Sequence, residues 1–169
     1  MEKAKLQIGC GKKPMEGYVN LDLIKYPWVD VVHDLGRFPW PFRDNQFEEV
    51  YANSVLEHLD DLLRSMGEIH RVLRPGGVLR GGVPWYNYAG AFGDPTHKHF
   101  FNLSTFQYFT GNGQYSYTEK TGVWRIVKLE VTPTRYGSLV PFKKKLLPFL
   151  GGFVGNLAHK INFELEAVK

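Results

Sequence analysis

The chain has 169 residues, 43% apolar and 22% charged, with Cys10 as its one cysteine. That size suits a single globular domain with a sizeable core, and a lone cysteine excludes an internal disulfide. The net charge of +4 is uneven, +1 over residues 1–135 and +3 over 136–169. The near-neutral body lacks the basic stripe of a nucleic-acid binder, so no nucleic-acid partner is expected. No apolar run reaches the roughly 18 residues of a membrane span, and no basic-then-apolar leader opens the chain; with the cysteine usage, this gives the expectation of a cytoplasmic setting.

Short runs of strand length and β-branched or aromatic content come first: Lys5 to Ile8, Tyr18 to Leu23, Trp28 to Val32 and Glu48 to Ala52. Turn-forming Gly, Pro, Asn or Asp bound each run. From Asp60 to Leu73 the period changes. Leu62, Met66, Ile69 and Leu73 line one helical face, Asp60 or Asp61 stands at the N-cap, and Arg71 and Arg74 lie near the C-terminal end. "RPGG" at 74–77 is expected to end the helix and turn the chain into the apolar run Val78 to Val83. Strand, helix and strand in succession predict a βαβ crossover, hence a parallel sheet covered by helices. Next comes an aromatic, turn-rich segment, "WYNYAGAFGDPTHKHFFNLSTFQYF", read as a lid or pocket wall or as core. Trp124 to Val131 and Ile161 to Val168 then alternate as one-sided strands do.

The first turn carries the ligand chemistry. Gly9 and Gly11 follow an apolar strand directly, so backbone can approach a ligand at the strand's carboxyl end. Asp22 ends the next strand, and an ionised carboxylate accepts from both hydroxyls of a ribose. It follows Gly11 by only 11 residues, whereas a dinucleotide site places its acid about 20 residues on. The short link leaves little room for a helix, and a diphosphate needs a helix N-terminus. From these residues alone, an ordinary tight turn beside a solvated acid is an equal reading.

Further stretches separate the readings. "LQIGCG…NLDL", "VVHDLGRFPWPFRDNQFEEVYANSVLEHL", "EIHRVLRPGGVL" and "FELEAVK" resemble, in order, the motifs of class I S-adenosylmethionine-dependent methyltransferases. The similarity extends to small bacterial and archaeal members of the methyltransferase type 11 group, through "DPTHKHFF". It implies a Rossmann-like α/β three-layer sandwich, with a mostly parallel seven-stranded sheet and an antiparallel last strand. It also implies one methyltransferase domain over 1–169, with an insertion at about 136–160. S-adenosyl-L-methionine is the implied cofactor. Gln7, Gly9, Cys10 and Gly11 would lie at its methionine end, Asp22 and Leu23 at the ribose, Asp34 and Leu35 at the adenine, and Asn53, Ser54 and Val55 beneath it. Gln7 replaces the acid common two residues before the first glycine, and Lys13 replaces a third glycine.

Methyl transfer from a sulfonium is an in-line displacement that needs alignment first and a base only if the acceptor must lose a proton. Asp94, His97 and His99 are the candidates for base or acceptor orientation, with Tyr86 and Tyr88 as walls. Each also has a structural reading, since Asp-Pro-Thr is an ordinary turn. Asp94 with His97 and His99 has the composition of a three-ligand metal set, yet His-Glu-x-x-His and paired Cys-x-x-Cys are absent, so no metal is expected. Glu57, His58 and His70 are read as structural, and Cys10 has no catalytic partner pattern.

The basic and apolar stretch at 141–157 reads either as a peripheral membrane contact or as a segment packed over the sheet. The expected function is methyl transfer to a small-molecule or glycan- or lipid-precursor acceptor. A non-catalytic cofactor- or partner-binding module is the alternative, and an NAD(P)-linked oxidoreductase is the weakest reading.

Overall fold

The runs at Lys5, Tyr18 and Glu48 form strands largely buried on both faces, as parallel strands between helical layers are, whereas Trp28 and Val32 in the third run stay exposed. The computed structural model describes residues 4–111, 117–141 and 143–169. Its strands are β1 (Lys5–Ile8), β2 (Tyr18–Asp22), β3 (Val31–Val32), β4 (Phe47–Asn53), β5 (Leu73–Pro84), β6 (Val123–Pro133) and β7 (Ala158–Val168). They make one sheet in the order β3-β2-β1-β4-β5-β7-β6. β1, β2, β3, β4 and β5 pair in parallel, while β7 runs antiparallel to both β5 and β6. The expected mostly parallel sheet with a reversed last strand is therefore present.

Strand order reverses at β1, which has β2 on one side and β4 on the other. In an open α/β sheet such a switch point leaves a crevice at the strands' carboxyl ends, because successive connections leave toward opposite faces. β1 and β4 are well suited to this central place: Leu6, Ile8, Val50 and Ala52 are 0–1% exposed. Between β1 and β2 the chain forms turns and no helix, as the short spacing predicts.

β4, α1 (Leu62–Val72) and β5 form the predicted crossover. Asp61 caps α1 by accepting from the Arg64 amide at 2.9 Å, a bond worth about 0.5–2 kcal/mol. Met66, Ile69 and Val72 bury the apolar face. The helix ends one residue short of Leu73, which already belongs to β5. The "RPGG" run does not turn the chain away from the sheet. It lies within β5, where pairing with β4 jumps from Phe47–Leu73 to Glu49–Val78, and Gly76 supplies the positive φ of 73° that this irregularity requires. The predicted third strand shrinks to Val31–Val32, and Asp30 just before it is tied to Asn20 of β2, donating its amide to the Asn20 carbonyl and accepting from the Asn20 amide at Oδ2.

The aromatic segment contributes α2 (Ala89–Gly93) and a 3₁₀ stretch over Leu103–Phe109, followed by α3 (Thr118–Thr121). Trp85, Phe101, Phe106 and Phe109 are at most 3% exposed, so these rings are core. Between β6 and β7 stands α4 (Lys143–Phe153), which buries Leu147 and leaves Phe149 and Phe153 exposed. The side chains of Lys143 and Lys144 lie outside the described residues. No helix among the described residues is long and apolar enough to cross a membrane.

Candidate functional site

At the switch point lies a cavity of about 240 Å³. Gly9, Asp22, Leu23, Asp34, Leu35, Ser54 and Val55, all singled out by sequence, line it. Leu21, His33, Gly36, His58, Leu59 and Asp60 complete the wall.

Asp22 is held on its backbone side: Gly11 N–H donates to Oδ2 at 2.7 Å, and Ile24 N–H donates to Oδ1 at 2.9 Å. A carboxylate oxygen has two lone pairs, so each retains acceptor capacity toward the cavity. The Trp28 indole donates to the Gly11 carbonyl at 2.8 Å, which fixes the peptide that holds Asp22. Gly9 has φ +61°, and a Cβ there would fall 2.7 Å from Val55 Cγ2. Only glycine therefore lets the turn after β1 close onto the loop after β4. Ser54 has φ +54°, and its amide donates to the Gly82 carbonyl at 2.8 Å. A non-glycine residue in this sparsely populated region marks a turn that the surrounding structure imposes.

Gln7, Cys10, Gly11 and Asn53 stand outside the cavity wall. Gln7 is buried and its amide is fully used. Nε2 donates to the Lys13 carbonyl at 3.0 Å, and Oε1 accepts from the Met15 amide at 2.8 Å. A carboxylate could not make the first of these bonds, so the glutamine fits the shortened loop that replaces a helix. Asn53 accepts from Lys160 Nζ. Cys10 is buried, with its thiol pushed up chiefly by that burial and then by the Asp22 charge.

The loop carrying Asp34 and Leu35 is anchored at a distance. Trp40 N–H donates to Glu68 Oε2 at 2.6 Å, and its indole donates to the Leu35 carbonyl at 3.1 Å. Arg71 donates to Glu68, Asp44 and the carbonyls of Trp40 and Phe42. Burial raises the Glu68 carboxyl, but the Arg71 pair and the Trp40 amide outweigh it and hold it below its ordinary value.

The "DPTHKH" segment docks against the 3₁₀ turn Leu56–His58: the Lys98 and His99 amides donate to the Glu57 carbonyl at 2.7 and 3.2 Å. Asp94 accepts from the Thr96 amide and hydroxyl. The His97 ring meets the His58 ring with centroids 4.7 Å apart. His99 instead bonds to the Leu59 carbonyl at 2.8 Å. Tyr86 donates its hydroxyl to the Gly152 carbonyl at 3.0 Å, fastening α4, and Tyr88 packs on His159.

Residues 15–80 match the family model described as a methyltransferase domain. A structure of an S-adenosylmethionine-dependent methyltransferase from Mesorhizobium loti superposes with a TM-score of 0.64 at 13% identity, covering 98% of this chain and 93% of that one. The fold is that of class I S-adenosylmethionine-dependent methyltransferases. The [4+2]-cyclase SpnF shares this methyltransferase fold, with a TM-score of 0.63 at 14% identity over 97% of this chain and 74% of its own. A curated relative, the human mitochondrial arginine-hydroxylase NDUFAF5, is 28% identical over 97 residues, 46% of this chain and 28% of its own length. The match thus spans under a third of that relative.

The Mesorhizobium loti structure is named for dependence on S-adenosylmethionine, and two features of this cavity bear on such a ligand. The Asp22 carboxylate keeps acceptor capacity that ribose hydroxyls would use, and the close packing of Gly9 on Val55 brings backbone to the cavity wall. Asp34 and Leu35 stand further along the same wall.

Proposed function

We propose that this protein catalyses methyl transfer from S-adenosylmethionine, and that the cavity at the β1–β4 switch point binds that cofactor. The observation that carries the reading is the Asp22 carboxylate, held toward the cavity by Gly11 and Ile24 amides where no helix follows β1. A diphosphate cofactor would need that missing helix N-terminus, whereas an adenosyl sulfonium does not. Bound there, the cofactor supplies a methyl group on a positively charged sulfur.

The chain's contribution is positioning. Asp22 holds the ribose, Asp34 with Leu35 edges the adenine slot, and the Gly9 turn lets the backbone run close beneath. Alignment of donor and acceptor accounts for most of such a displacement. His97, beside His58 in the cavity wall, is the best placed of the three candidate catalytic residues. Asp94 is exposed and turned to Thr96, and His99 is turned to Leu59.

The fold alone does not fix the chemistry, since a cyclase and a hydroxylase are among the similar proteins. The test is transfer of a labelled methyl group to a panel of small hydroxyl-, amine- and carbon-acid acceptors, including glycan and lipid precursors. Transfer abolished by Asp22→Ala is expected. Tight binding of S-adenosylhomocysteine with no transfer to any acceptor would favour a binding module instead.

A further inference from the structure

Glu57 is an anomaly. It is 1% exposed, and among the described residues its two carboxylate oxygens are the buried side-chain atoms with no hydrogen-bond partner. Leaving a carboxylate buried without a donor is costly unless a proton or a cation meets it. Lys160, whose charge acts on it, donates to Asn53 and makes no hydrogen bond to the Glu57 carboxylate. What faces Glu57 is a pair of histidines: one ligating atom from each of Glu57, His58 and His97 lies within 4.8 Å of the others.

The hydrogen bonds around the two rings decide which nitrogens are available. The Thr96 hydroxyl has one proton and donates it to Asp94 Oδ1 at 2.6 Å. At 2.9 Å from His58 Nδ1 that hydroxyl oxygen must then accept, so Nδ1 carries the proton and Nε2 of the neutral ring is a lone pair. His97 Nδ1 lies 2.8 Å from the Ala91 carbonyl, which only accepts, so its Nε2 is likewise a lone pair. A carboxylate and the two imidazoles come together, with His97 Nε2 also 3.9 Å from Asp94 Oδ2 and each Nδ1 held by an oxygen of the chain. That is how metal-ligating histidines are oriented.

We propose that Glu57, His58 and His97 bind one divalent transition-metal ion, with two imidazole nitrogens and one carboxylate oxygen as protein ligands. The nitrogen content favours zinc, cobalt, nickel or iron(II) over magnesium and manganese. Ligand bonds of about 2.0–2.2 Å require the three groups to draw in from their present spacing. The Glu57 carboxylate has no hydrogen bond to break in doing so. The sequence alone would have assembled Asp94, His97 and His99 instead, but His99 is tied to Leu59 and points its chemistry elsewhere. His58 also lines the cofactor cavity. If the methyl-transfer reading holds, the ion's open position is where an oxygen of the acceptor would bind; the metal site itself does not depend on that reading.

The test uses the full chain stripped of metal by chelation and titrated with Zn²⁺ by calorimetry and Co²⁺ by visible absorption, without cofactor or acceptor. One ion per chain is expected, with affinity at least tenfold weaker in Glu57→Gln and in His97→Ala, and changed less than twofold in His99→Ala. Zn²⁺ should raise the melting temperature of the unsubstituted chain but not of Glu57→Gln, whose shape is preserved. X-ray absorption of the cobalt-loaded chain should show two imidazoles, a readout that needs no variant. Absence of binding, binding undiminished by both ligand substitutions, equal loss in His99→Ala, or a shell without imidazole would each overturn the proposal. S-adenosylhomocysteine affinity, measured separately, reports on the cofactor reading alone.

Discussion

The two sides of the sheet's carboxyl edge are built by different forces. On the cofactor side, loops are fixed by side chains bonded to backbone: Gln7 to residues 13 and 15, Asp22 to residues 11 and 24, Arg71 to residues 40 and 42. On the other side, the segment from Trp85 to Phe109 packs largely through rings, such as Phe106 with Phe101 and with Phe163, while α4 is tied to it by Trp85, Tyr86 and Asn87 donating to the Gly151 and Gly152 carbonyls. There Phe92 and Phe100 stack at 4.6 Å while remaining 66% and 46% exposed, and Phe149 and Phe153 are 63% and 77% exposed. Hydrogen bonds are directional and define one cavity shape, whereas apolar contact is not and accepts varied surfaces. In the proposed reading, this contrast sets a fixed cofactor against a variable acceptor.

The comparison can be broken most severely at Asp22. Asp22→Ala should weaken S-adenosylhomocysteine binding about tenfold to a hundredfold, since hydrogen bonds to a charged group are worth about 1.5–3 kcal/mol; calorimetry gives the ratio. Gly9→Ala strains a positive φ and drives a methyl group onto Val55, so urea denaturation should show a loss of about 1–3 kcal/mol.

Gln7→Glu sharpens the contrast. If this position served the cofactor's methionine end, restoring an acid would tighten binding. The observed bonds predict instead an unpaired Lys13 carbonyl, a stability loss of about 1–3 kcal/mol by chemical denaturation, and no gain in affinity.

A smaller effect is expected at Glu68, through pH. Its carboxyl is held below its ordinary value of 4.5, so the unfolded chain binds the proton more tightly than the folded one. The stabilisation is complete above about pH 4.5 and is lost as pH falls through the depressed value. Glu68→Gln should flatten this acid limb of the stability curve and change little of its shape above it. Phe149→Ser, on the ring-built side, should shift stability by no more than about 0.5 kcal/mol in thermal melts.

Much of the architecture was legible because it rests on local pattern. The apolar runs, the Asp61 cap and the period of α1 are short-range signals, and the 11-residue link from Gly11 to Asp22 foretold the missing helix. "RPGG" misled because a glycine-proline turn and a bulge within a strand use the same residues, and only pairing with β4 distinguishes them. Within the site, Gly9 and Asp22 could be found from their places after strands, and Asp34 and Val55 from the resemblance to methyltransferase motifs. The work of Gln7 could not, since it depends on where a loop six to eight residues away folds back. The meeting of Glu57 and His58 with His97 is a contact across about 40 residues of sequence. Its one signal was an acid–histidine pair just beyond the carboxyl end of β4, where an open α/β sheet places its chemistry.

The most direct measurement is calorimetric titration of the folded, unsubstituted chain with S-adenosylhomocysteine and, separately, with NAD⁺. The account predicts saturable one-to-one binding of the first and none of the second. Binding of NAD⁺, or failure of S-adenosylhomocysteine to bind, would contradict it.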